Sequence, residues 1–154
     1  MRSQRGGIGS MRQVSGRAGG RVEKEFRRTF DSLDEIFQFI ESFLQTESSS
    51  PGLLHDVNFA VEELFTNMVK YNPSGPPDIA LGLSVEDGDL SVSLTDRETE
   101  PFDVTQAPPV DIHRPIEERK PGGLGLHLVK KVVDSLEYRH ARGTTTIKFS
   151  KSLR

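Results

Sequence analysis

The spacing of apolar positions changes its period several times along this chain, and each change marks an element. From Val22 to Phe30 apolar and charged residues alternate, which predicts a half-exposed strand. Leu33, Ile36, Phe37, Ile40, Phe43 and Leu44 then recur at helical spacing, behind an Asp31-Ser32-Leu33-Asp34 run that offers N-caps. Thr46 to Gly52 holds three consecutive serines and a proline and reads as a loop. A second helix runs from about Pro51 to Tyr71, with Leu54, Val57, Val61, Leu64 and Met68 as its apolar stripe. Asn72-Pro73-Ser74-Gly75-Pro76-Pro77 stops it. Strands follow at Ile79–Val85 and Leu90–Thr95, and Asp87-Gly88 between them is a strong hairpin signal. Asp96 to Pro121 has no sustained period and five prolines, the mark of a functional or mobile loop. A third helix from about Leu124 to Asp134 leads into two last strands, Leu136–His140 and Thr145–Ser150. This order predicts an α+β fold: a two-layer α/β sandwich with a mixed, mostly antiparallel sheet and its helices on one face.

Composition alters this picture mainly at the start. The chain has 154 residues, enough for one compact domain. Residues 1–21 hold five Arg, six Gly and no acidic residue, so they are expected to be a disordered basic tail, with Met11 as an alternative initiator. Residues 22–154 form the folded domain. The whole chain has 20 basic and 23 acidic residues, and without the tail's five arginines the domain carries −8. Such a charge argues against direct DNA or general nucleic-acid binding. The chain has no Cys and therefore no disulfide or thiol chemistry. Its apolar runs are too short for a bilayer, so a soluble, cytoplasmic protein without membrane attachment is expected. The four His show no metal-ligand spacing.

Candidate chemistry lies in two remote stretches. Pro121-Gly122-Gly123-Leu124-Gly125-Leu126 reads as a glycine-rich loop running into a helix, whose free N–H groups and positive dipole end suit a phosphate. A Gly-Gly before a helix is also a common loop joint. Glu63 and Asn67 stand one turn apart on a stripe shared with Ala60 and Lys70, roughly opposite Val61, Leu64 and Met68. By themselves they read more readily as a polar pair on a solvated face.

Taken together, Glu63-Leu64-Phe65-Thr66-Asn67 and the distant Gly122-Gly123-Leu124-Gly125-Leu126 resemble the ATP-binding domain of gyrase, heat-shock chaperone and histidine kinase ATPases, the GHKL superfamily. More narrowly the chain is similar to the bacterial anti-sigma factor serine kinases. Ala60-Val61-Glu62-Glu63, Pro101-Phe102-Asp103 and Glu117-Glu118-Arg119 extend the likeness, which runs from about Val22 to Leu153. The resemblance implies ATP and Mg²⁺ as cofactors, with Asn67 as the Mg²⁺ ligand and Glu63 as general base toward a serine hydroxyl. It implies that Asp96 accepts a hydrogen bond from the adenine amino group, that Gly123 and Gly125 cradle the phosphates, and that Thr145 (or Thr144, by register) lies near the adenine. Lys70 shares the stripe of the pair, the Arg97–Pro121 segment would be a lid, and Arg119 would reach a phosphate.

One position departs from the family pattern. Glu98 stands where a glycine usually follows two residues after the adenine-binding aspartate. If the backbone there needs φ > 0, Glu98 is disfavoured by roughly 1–2 kcal/mol. The implied function is an anti-sigma factor with serine kinase activity, its partners a STAS-type anti-anti-sigma protein and a sigma factor, with homodimerisation a further expectation of the family. A catalytically weak partner-binding module of the same fold is the alternative, and a detached histidine-kinase catalytic domain ranks third.

Overall fold

A computed structural model describes residues 11–14, 20–47, 50–99 and 123–154. Its elements in chain order are β1 (Met11–Val14), β2 (Arg21–Arg27), α1 (Leu33–Gln45), α2 (Leu53–Tyr71), β3 (Asp78–Glu86), β4 (Asp89–Asp96), α3 (Gly123–Val132), β5 (Ser135–Ala141) and β6 (Thr144–Ser152). The strands form one six-stranded sheet in the order β1-β2-β3-β4-β6-β5. Every pairing in it is antiparallel, so the sheet is simpler than the mixed one expected. The α+β character and the separation of helices from strands agree with the sequence.

Period-two alternation explains the layering. On β4, Leu90, Val92 and Leu94 are buried in one core with Ile79, Leu81 and Leu83 of β3 and Ile147 and Phe149 of β6. The same core takes Ile36, Ile40 and Leu44 of α1, Val57, Val61 and Leu64 of α2, and Leu126 and Val129 of α3. The intervening residues Ser84, Ser91, Ser93, Thr95, Thr146 and Lys148, with Arg21 and Glu23, line a groove of about 240 Å³. One face of the sheet is therefore dry and the other carries hydroxyls.

The β3–β4 and β5–β6 hairpins turn through left-handed pairs. Asp87 (φ 54°) and Gly88 (φ 83°) join β3 to β4, and Arg142 (φ 54°) and Gly143 (φ 74°) join β5 to β6. Two successive positive φ values match the twist of antiparallel strands. The start of α1 differs from expectation. Ser32 makes no side-chain cap, because its hydroxyl donates to the Arg27 carbonyl (2.8 Å) and a 3-10 turn, Phe30–Ser32, leads into the helix.

The expected tail also needs correction. Met11–Val14 pairs with Val22 and its neighbours, and β2 already begins at Arg21. An edge strand offers unpaired N–H and C=O groups, which accept a short extended segment whatever its composition.

Candidate functional site

The C-terminal half of α2 is the axis of the site, because α3 and the end of β4 both come to it. The α2 stripe opposite Val61 and Leu64 was expected to face water. Instead α3 meets it, with Glu63 lying against Gly125. Ala60 is fully buried and Asn67 is 1% exposed. Neither the side-chain oxygen nor the side-chain nitrogen of Asn67 finds a hydrogen-bond partner among the described residues. An amide buried in that way costs about 1–3 kcal/mol. A cation ligated by Asn67 Oδ1 would relieve half of this, and an oxygen donor suits Mg²⁺.

One turn earlier, Glu63 is half-buried. Its carboxyl lies against Gly125 so closely that a Cβ there would overlap it. Gly125 thus leaves the room that the Glu63 carboxyl occupies between the two helices. Burial raises the Glu63 pKa above its ordinary value of 4.5, the neighbouring Glu62 charge adds to the rise, and Lys70 opposes it. Lys70 itself is exposed. Gly123 and Gly125 both fall in the first turn of α3, so the glycines belong to the helix start and are not a loop ahead of it. The first-turn N–H groups of α3 have no partner inside the helix, and the turn contains no acidic side chain. The site therefore holds a carboxylate of raised pKa, an unsatisfied amide and a positive helix end, a set suited to holding a metal-bound polyphosphate beside a base.

The other end of the site is arranged differently from expectation. Asp96 closes β4 at 2% exposure. Its carboxylate does not face open space. Arg28, just past β2, takes both oxygens, with Nη1 donating to Oδ2 at 3.2 Å and Nη2 to Oδ1 over a shorter distance. Asn72 Nδ2 donates to Oδ2 at 3.4 Å. Arg28 also donates through Nε to the Pro76 carbonyl (2.7 Å) and through Nη1 to the Met68 carbonyl (3.5 Å) at the end of α2.

Thr145 sits directly opposite Asp96 in the β4–β6 register, whereas Thr144 pairs with Ala141. Thr145 is 7% exposed and shares a hydrogen bond of 2.7 Å with Thr99 Oγ1. The Thr99 backbone is held in turn: its N–H donates to the Gly143 carbonyl (2.9 Å), and its carbonyl meets His140 Nε2 (3.1 Å). Glu98, next to it, has φ 55°. The left-handed conformation that a glycine would take freely is present, with a glutamate in it.

The fold thus brings Glu63, Asn67, Gly123 and Gly125 to one helix pair, and Asp96 and Thr145 to neighbouring strand ends. Arg119, Pro101-Phe102-Asp103 and most of the proposed lid lie outside the described residues. Among the described residues no group of three His, Asp or Glu could hold a metal. Arg28, Asn72 and Thr99 did not stand out in the sequence. The available signal for Arg28 was its register, since period two places it on the same face as Val22 and Phe26.

Helices on one side of an antiparallel sheet, with a carboxylate and an amide of one helix against the glycine-rich start of another, make this a two-layer α+β domain with an inter-helix site. The model of the histidine kinase-like ATPase domain matches residues 26–151, and the chain belongs to that family. Among curated relatives, the serine-protein kinase RsbW of Oceanobacillus iheyensis is 27% identical over 96 residues, covering 58% of this chain and 60% of the relative. The RsbW of Bacillus cereus is 26% identical over 99 residues, covering 61% of each. The chain therefore spans about three fifths of the length of these relatives. Two solved structures share the fold. The RsbU and RsbW domains of a Mycobacterium tuberculosis protein match with a TM-score of 0.62 at 15% identity, over 86% of this chain and 32% of that one. The SiaB–SiaC complex of Pseudomonas aeruginosa matches with a TM-score of 0.57 at 17% identity, over 83% and 87%.

Proposed function

We propose that this chain is an ATP-dependent protein serine kinase and anti-sigma factor of the cytoplasm. It phosphorylates a STAS-type anti-anti-sigma protein and sequesters a sigma factor. One observation carries the reading: a buried, partnerless Asn67 amide one turn from Glu63, whose carboxyl rests on Gly125 at the start of α3. The names of the curated relatives, serine-protein kinases, support the same class of activity.

Mg²⁺, when bound with ATP, would neutralise phosphate charge and order the triphosphate for in-line transfer. Asn67 would hold that ion through Oδ1. The first-turn N–H groups of α3 would bind phosphate oxygens, with Gly123 and Gly125 permitting the approach. Glu63 would take the proton of the incoming serine hydroxyl at its carboxylate. Its raised pKa makes it a better base than a solvated glutamate, at the cost of needing a higher pH to ionise. Lys70 tempers that rise, and Arg119 would add a charge toward a phosphate.

A second reading is a module that captures its partner with little phosphoryl transfer. The capture of Asp96 by Arg28 and the left-handed Glu98 favour it. Radiolabelled ATP mixed with the chain and a STAS-domain protein separates the two. Label on a serine of the STAS protein supports the kinase, and stable capture without label supports the module. Asn67→Ala should abolish Mg-ATP binding by calorimetry. Unchanged affinity in that variant would remove Asn67 from the metal site.

A further inference from the structure

The two edges of the sheet are built differently. β1 closes one edge with four residues, and so short a strand offers few free backbone groups. β5 closes the other with seven, in unbroken register with β6 from Ser135↔Ser150 to Ala141↔Thr144. It has no Pro, no Lys and no bulge, the usual devices that keep a second chain from adding to an edge. Among the described residues nothing pairs with its outer side.

The charges that β5 does carry are of opposite sign and two residues apart. Ser135, Glu137, Arg139 and Ala141 are exposed, whereas Leu136 and Tyr138 pack against the core. Glu137 stands opposite Lys148, and Arg139 opposite Thr146, on the open face of the sheet. Lay an antiparallel copy of β5 along this edge with the two-fold axis at Tyr138. Glu137 then falls opposite Arg139 of the second copy, and Arg139 opposite its Glu137. Each Glu137 lies between Lys148 of its own chain and Arg139 of the other. Opposite charges facing one another across antiparallel strands favour the pairing, and like charges oppose it. Moving the axis to Glu137 or to Arg139 sets like charges face to face, so the Tyr138 register is the favoured one.

We infer that β5 is the seam of a homodimer in which two copies join edge to edge about Tyr138. Their six-stranded sheets become one twelve-stranded sheet, and the interface is isologous, the same strand serving on both sides. The inference goes beyond a bare expectation of self-association by naming the edge, the register and the charged pairs. It stands apart from the kinase reading and leaves the hydroxyl-bearing face of the sheet open.

Sedimentation velocity of the full chain over a range of concentrations should show a monomer–dimer equilibrium. Arg139→Glu sets carboxylate against carboxylate twice in each dimer, and Glu137→Arg does the same with cations. Either exchange should raise the dimer dissociation constant roughly tenfold or more. The two exchanges together recreate both opposite-charge pairs and should return it to within about threefold of wild type, which isolates the pairing from the single changes. Both positions are exposed, so all three variants should melt close to wild type. A chain that stays monomeric at the highest concentration it tolerates overturns the inference. So does a dimer indifferent to the single exchanges, which must use another surface, and so does a double exchange that fails to recover the dimer.

Discussion

Replacing Gly125 by alanine should divide stability from chemistry. The added Cβ would overlap the Glu63 carboxyl. That carboxyl is the free end of a flexible side chain, so it swings aside while the backbones of α2 and α3 stay in place. Alanine in a helix gains up to about 1 kcal/mol over glycine. Forcing Glu63 off its rotamer costs about 0.5–1.5 kcal/mol. These nearly cancel, and a residue of 1 kcal/mol moves the melting temperature of a domain this size by roughly 3–6 °C. The chemistry does not cancel. A base displaced by about 1 Å loses on the order of 10²-fold, and a base removed altogether about 10²–10⁴-fold. The assay is single-turnover transfer of labelled phosphate to the STAS protein at saturating Mg-ATP, beside a calorimetric melt. The expected result is a melt within about 6 °C of wild type and transfer reduced about 10²-fold or more. A folded Gly125→Ala chain with wild-type transfer would refute the link between Gly125 and Glu63. A melt lowered much further would show that the backbones themselves meet there.

Two more outcomes follow from the same geometry. Because the folded chain holds the Glu63 proton to higher pH than the unfolded chain does, the native state binds more protons above 4.5 and stability falls as pH rises toward the raised value. Glu63→Gln should flatten that part of the curve in urea denaturation at successive pH values, and an unchanged slope would mean that Glu63 is not its source. Glu98→Gly should relieve a left-handed conformation worth about 1–2 kcal/mol while losing about 0.5–1 kcal/mol to chain entropy. The variant should therefore gain between about 0 and 1.5 kcal/mol in the same assay, and a loss of stability would mean that Glu98 is not strained.

Elements with a clean period were legible in the sequence, since periods of 3.6 and 2 report which face meets the core. That is why α1, α2 and the β3–β4 and β5–β6 hairpins fall within a few residues of their expected bounds. Pairing Glu63 with Asn67 was legible from helical spacing, but the burial of Asn67 was not. It depends on tertiary packing, which no local period reports. The Arg28–Asp96 pair joins residues 68 apart and was missed for the same reason. The strand at Met11–Val14 was missed because its composition favours disorder and only the waiting edge of β2 gives it a partner.

The hydroxyl-bearing side of the sheet has its own consequence. A third layer in a protein is normally held by large apolar side chains, and Ser84, Ser91, Ser93, Thr95 and Thr146 are none of these. Any protein settling there must replace water by matched hydrogen bonds or trap it in place. A contact on that side is therefore held by hydrogen bonding and shape, with little help from apolar burial.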